Sequence, residues 1–225
     1  MFKVLLSSAL LLSLLSACQA PLIGLHSQPP AQPQLLQRQS APQHLQAPLF
    51  PVQQGFFWEY GVTLAPVMDP LAEEKSTYTL ALEKVTPTPQ GTRLELRAQS
   101  GFNNRYSFPS LVQSPQGIQL QDMTFLGLGS DEVRGLSIPF VQQPLSPGQR
   151  WEDENWIGKV KGLEPVTVPA GTFEAWRIEV IGTYDRAYTA VGDYWLVPGM
   201  GVVKSAYTVP NFHIESVLLQ AGPRR

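Results

Sequence analysis

The strongest constraint on this chain is a hydrophobic period of two. From about Leu49 onward, large apolar side chains recur at every second position and polar ones fill the gaps. In FFWEYGVTL, Phe56, Trp58, Tyr60, Val62 and Leu64 share one face. Tyr78, Leu80 and Leu82 do the same in TYTLALEK, and Leu94 and Leu96 alternate with Arg93, Glu95 and Arg97. Trp176, Ile178 and Val180 lie opposite Arg177 and Glu179, and YTAVGDYWLV, GVVKSAYTV and NFHIESVLL continue the pattern. Successive side chains on a strand point to opposite faces, so this alternation predicts half-buried strands. The segments are separated by TPTPQG, SPQG, LSPG, VPAG and VPGMG, where Pro and Gly set the backbone of tight turns. Only PLAEEKS, at 70–76, offers a helical turn. Short, closely spaced strands with one polar face pair antiparallel, and the sheet has to curl or close to manage its edges. The expected fold is mainly β, a single strongly curved antiparallel sheet or half-open barrel with little helix.

A spacing recurs within this domain. Pro51, Gly55, Trp58 and Glu59 read P-x3-G-x2-W-E, and so do Pro144, Gly148, Trp151 and Glu152. Pro and Gly set a turn, and the tryptophan that follows pins the start of a strand to the core through its large apolar area. The repeat points to two duplicated halves.

The amino terminus reads differently. Met1, Phe2 and Lys3 precede VLLSSALLLSLLSA, and one positive charge, a short apolar run and a small-residue end mark residues 1–17 as a secretory signal peptide. The run falls short of the roughly 20 apolar residues that span a bilayer. Leu15, Ser16, Ala17 and Cys18, the only cysteine, resemble the bacterial lipobox. The resemblance implies cleavage after Ala17, diacylglycerol on the Cys18 thiol and an acyl chain such as palmitate on the new amino terminus. Two or more acyl chains hold a protein stably at a membrane, each buried methylene contributing roughly 0.8 kcal/mol. Gln19 stands where an aspartate would commonly retain such a protein at the inner membrane, so the expected location in a diderm host is the outer membrane. Residues 18–48 then form a tether. Eight of the thirty residues from Gln19 to Pro48 are Gln and six are Pro, with Arg38 the sole fixed charge. Such a composition cannot bury enough apolar surface to order itself. It would span roughly 30 Å as a coil and about 90 Å when extended. A Pro/Gln ligand for a partner domain is the other reading of it. Residues 49–225 suffice for one domain with a sizeable core.

Two further stretches carry a resemblance. VTVPAGTFEAWRIEV (166–180) and YWLVPGMGVVKS (194–205), with the two P-x3-G-x2-W-E openings, resemble uncharacterised bacterial surface lipoproteins and related exported domains of unknown function. The resemblance implies a mostly antiparallel, strongly curved sheet and no particular activity.

The residues themselves offer little chemistry. The domain carries 14 Lys plus Arg against 18 Asp plus Glu and no basic run, so nucleic acid is not an expected partner. His213 is the single histidine past the tether, where His26 and His44 lie far apart, so neither a metal site nor a cofactor is expected. No G-x-S-x-G occurs, and Ser130, beside Asp131 and Glu132, would need the distant His213 to form a triad. Glu152, Asp153 and Glu154 form the densest acidic cluster, flanked by Trp151 and Trp156. Glu152 and Glu154 are the positions on which a carbohydrate-active or other hydrolase would rest. The expected function is non-enzymatic: binding or scaffolding at the cell envelope, with an apolar small molecule or an envelope protein as partner. A purely structural lipoprotein is the remaining alternative. If the curved sheet leaves a cleft, Phe56, Trp58, Tyr60, Trp176, Tyr194 and Trp195 are candidates to line it. They could equally fill the core.

Overall fold

The structure, a computed structural model, describes residues 48–102, 106–107, 109–122, 134–154, 156–184 and 188–224. The signal segment, Cys18, the tether up to residue 47 with His26 and His44, and the Ser130, Asp131, Glu132 cluster lie outside the described residues.

Among the described residues thirteen strands follow one another: β1 (Phe56–Pro66), β2 (Glu74–Thr88), β3 (Gly91–Ser100), β4 (Tyr106–Ser107), β5 (Ser110–Ser114), β6 (Gly117–Asp122), β7 (Arg134–Gln142), β8 (Arg150–Asp153), β9 (Trp156–Val168), β10 (Gly171–Tyr184), β11 (Tyr188–Val197), β12 (Gly201–Val209) and β13 (Phe212–Pro223). The described residues contain no helix. PLAEEKS forms a turn, in which Ala72 N–H donates to the Asp69 carbonyl at 3.0 Å, before the chain enters β2 at Glu74. Pro70 and the strand that follows leave no room for a second helical turn.

All strands belong to one antiparallel sheet in the order β7-β6-β5-β3-β2-β1-β13-β12-β11-β10-β9-β8, with β4 a spur on β3. The order describes two meanders laid end to end. One runs from β1 to β7, the other from β8 to β13, and the β1–β13 ladder joins them from Phe56↔Pro223 to Pro66↔Phe212. Neighbouring strands are ladder-paired everywhere along this path. The path's two ends, β7 and β8, meet without a backbone ladder. There the Trp151 indole N–H donates to the Pro139 carbonyl at 2.6 Å and Gln149 Nε2 to the Gln142 carbonyl at 3.3 Å. The result is a nearly closed barrel with one seam fastened by side chains.

The repeated motif is repeated in space. Gly55 and Gly148 both take φ +83°, a left-handed conformation that glycine adopts without steric cost. Each donates its N–H at 2.8 Å to the strand that follows its own in the sequence, Gly55 to Leu82 and Gly148 to Val160. One residue further on, Phe56 N–H and Gln149 N–H close the same turn at 3.1 Å on Gln53 and Ser146. Trp58 and Trp151 are both buried and both donate the indole N–H to a backbone carbonyl, of Met200 and of Pro139.

The core fills the barrel. Trp58, Tyr60, Leu80, Leu82, Leu94, Leu96, Leu111, Ile118, Phe140 and Trp156 are among its fully buried side chains. Phe140 of β7 meets Tyr194 of β11 edge-on at 5.2 Å and Trp156 of β9 at 6.2 Å, so side chains from both sides of the seam pack together inside the sheet. The end at which β1 begins, here the proximal end, is closed by the short segment before it. Leu49 and Phe50 are buried. Gln113 holds Phe50 through both backbone groups at 3.0 Å, and the Phe50 ring lies edge-on to Trp58. The β9–β10 turn folds across the same end, where Ala170 N–H donates to the Leu218 carbonyl of β13 at 3.0 Å.

Candidate functional site

The six aromatics singled out from the sequence do not share one surface. Trp58 is 0% exposed, Tyr60 1% and Tyr194 2%. All three are locked by neighbours: Trp58 by Phe50, Phe56 and Met200, Tyr60 by Tyr78 and the Val202 carbonyl at 2.8 Å, and Tyr194 by Phe140 and Tyr207. Burial pushes the Tyr60 hydroxyl far above the usual phenol range, with a smaller push from Tyr78. Phe56 and Trp176 are half-buried against the core margin. Trp195, next to inward Tyr194 on β11, emerges on the outer wall.

That outer wall carries the most organised polar arrangement among the described residues. Trp195 Nε1 donates to Glu164 Oε1 at 2.7 Å. Arg177 and Lys204 each stand 5.3 Å from its ring centroid. Arg177 pairs with Asp193 at 2.8 Å and reaches Glu164 at 3.9 Å, and Lys204 pairs with Glu215 at 2.7 Å. The hydrogen bond to Asp193 raises the Arg177 pKa, against the opposing effect of burial. Register explains the assembly, since Arg177↔Trp195 and Trp195↔Lys204 are cross-strand partners on β10, β11 and β12. Such pairs contribute about 0.5–1 kcal/mol each at exposed sites. The charges pair across the strands, although Arg177 Nε and Asp193 Oδ1 are buried without a hydrogen-bond partner, and the arrangement acts as a clasp across three strands. Strand parity was the signal for it in the sequence: a residue adjacent to an inward tyrosine has to face out.

Glu152 and Glu154 are exposed at the β8–β9 hairpin. Glu152 is engaged by Arg150 at 2.7 Å, a neighbour two residues away on the same strand face. His213 is exposed on β13 and shares a hydrogen bond with Thr208 at 3.0 Å. No three His, Cys, Asp or Glu side chains come together in a way that could hold a metal ion among the described residues.

A shallow groove of about 500 Å³ crosses β5, β6 and β7 near the proximal end. Gln90, Gln116, Gln119, Gln142 and Gln143 contribute to its lining with Ile118 and Val141, and no charged residue does.

With this geometry in hand, the fold has known counterparts. A crystal structure from Bacteroides fragilis NCTC 9343, of a protein provisionally named as exported and as having a YmcC-like fold, superposes with a TM-score of 0.57 at 13% identity, covering 78% of this chain and 99% of the other. The chain shares that fold. A crystal structure from Parabacteroides distasonis ATCC 8503, of a protein provisionally named a lipoprotein, gives a TM-score of 0.52 at 14% identity with the same coverage. At such identities the likeness is one of fold alone. No protein-family model matches the chain, and no curated protein matches it.

Proposed function

We propose that this chain is a lipid-anchored envelope protein that binds or scaffolds other molecules through its surface and catalyses no reaction. The observation that carries this reading is the packing inside the sheet, in which Trp58, Tyr60 and Tyr194 are buried and Phe140 of β7 meets Tyr194 and Trp156. A filled barrel presents rims and outer walls to partners, whereas a carrier needs an enclosed apolar space. The lipobox at Leu15, Ser16, Ala17 and Cys18 supports export and anchoring. The provisional names of the two structural counterparts, one as exported and one as a lipoprotein, agree with it. The acidic cluster supports no hydrolase, because Glu152 is turned to Arg150 at the surface.

The test uses the chain as purified from its own envelope. Glu152→Gln and Glu154→Gln leave fold and function unchanged on this reading, and Cys18→Ala leaves an unlipidated precursor that is lost from the membrane fraction. Loss of an envelope phenotype on either glutamate substitution, with the fold intact, contradicts the non-enzymatic reading. Unchanged membrane partition of Cys18→Ala contradicts the anchor.

A further inference from the structure

We infer that the distal tip of the barrel, formed by the β1–β2 and β12–β13 turns, is the docking surface for a protein partner with an apolar patch rimmed by basic side chains. The inference rests on the binding reading above and names the surface and partner class for it. Met68 is 96% exposed and Leu71 95%, with Val67 at 43% and Phe212 at 37% beside them. Scattered apolar residues on a surface are ordinary, but several large ones gathered on one projection mark an interaction site. This projection is built. Val67 N–H donates to the Asn211 carbonyl at 3.0 Å, fastening the two turns together. Asp69 N–H returns to Pro66 at 3.2 Å and Ala72 N–H to Asp69 at 3.0 Å, so the turn that presents Met68 and Leu71 is hydrogen-bonded along its length.

Charge selects the partner. The rim of the tip carries Asp69, Glu73 and Glu74 against Lys75, and Lys75 is bound to Glu73 at 2.6 Å. Among the described residues no cation pairs with Asp69 or Glu74. An acidic rim around an apolar centre repels anionic lipid headgroups and a second acidic rim of its own kind, and attracts a surface of complementary sign. Location agrees: the chain comes in from the tether at Pro48, where Gly199 N–H is bonded to the Pro48 carbonyl at 2.8 Å. That is the proximal end, about 33 Å from the tip along β1.

The experiment places a photo-crosslinking amino acid at Met68 or Leu71 of the full lipidated chain in its native envelope, with Val52 at the proximal end and Leu163 on the outer wall as comparison positions. The expected result is a covalent adduct from 68 and 71, absent from 52, to one other polypeptide whose crosslinked site is flanked by Lys or Arg. The combined substitutions Asp69→Lys and Glu74→Lys should lower its yield about tenfold, the effect of a little over 1 kcal/mol. An adduct to lipid, to a second copy of this chain, or to a polypeptide at Leu163 but not at the tip overturns the tip assignment and leaves the binding reading standing. Absence of adducts at every position overturns both.

Discussion

Tyr60 sends its hydroxyl into the barrel wall and finds one acceptor, the carbonyl of Val202 at 2.8 Å. Replacing it by Phe removes that hydrogen bond, which costs about 0.5–1.5 kcal/mol, to be read as a drop in the urea midpoint at neutral pH. The same group sets an alkaline limit. Burial holds the folded-state pKa well above its ordinary value, while in the unfolded chain it titrates near about 10. The unfolded state therefore loses the proton first, and stability falls as pH rises past that point. Tyr60→Phe should show a shallower alkaline decline than the parent, and an equal slope in both proteins would contradict the assignment. Gly158 makes a different demand. A Cβ there would sit 2.2 Å from the Trp151 ring, which lies across it at the seam. Gly158→Ala should destabilise by roughly 1–3 kcal/mol through overpacking, visible in thermal unfolding. At this scale the grouping of Tyr194 with Trp195 on one cleft fails on parity, since adjacency on a strand turns one in and the other out. The packing of Trp151 over Gly158 was not legible in the sequence, because nothing local distinguishes that glycine from one in a turn.

Among the elements, the two starts at Pro51 and Pro144 behave as one design used twice, with matching φ at Gly55 and Gly148 and matching indole hydrogen bonds. Their surroundings differ. Trp58 sits in β1, which is ladder-paired on both sides to β2 and β13. Trp151 sits in β8, which among the described residues is ladder-paired only to β9, and its indole bridges to β7. Trp151→Phe should therefore raise amide hydrogen exchange across Ile138–Gln142 and β8 with only a modest fall in global stability. Trp58→Phe should lower stability globally without singling out β7. Equal local exchange in the two variants would mean that the seam is not held by Trp151. The period-two segments and their Pro-Gly turns announced most of these strands. Leu49 and Phe50 escaped notice because two residues carry no period, and their burial depends on Gln113, which is remote in sequence. The seam escaped it too, since the alternation that marks a strand is silent about which neighbour it lacks.

For the whole molecule, the curved antiparallel sheet was legible from alternation and turn spacing. Whether the aromatics line a cleft or fill the core was not, because an inward Trp or Tyr has the same pattern in either case; the burial of Trp58, Tyr60 and Tyr194 and the contacts of Phe140 favour core for those three. A filled barrel makes the account specific about composition in the cell. The mature protein should begin at Cys18, carry lipid there, and enclose nothing. Native mass spectrometry of the full chain, extracted from its own envelope in mild detergent, reads all three together. The account predicts one species, with the mass of the chain from Cys18 plus a diacylglycerol and any amino-terminal acyl chain, and no further mass released on denaturation. A chain unmodified at Cys18, or a stoichiometric small molecule released when the barrel unfolds, would contradict it.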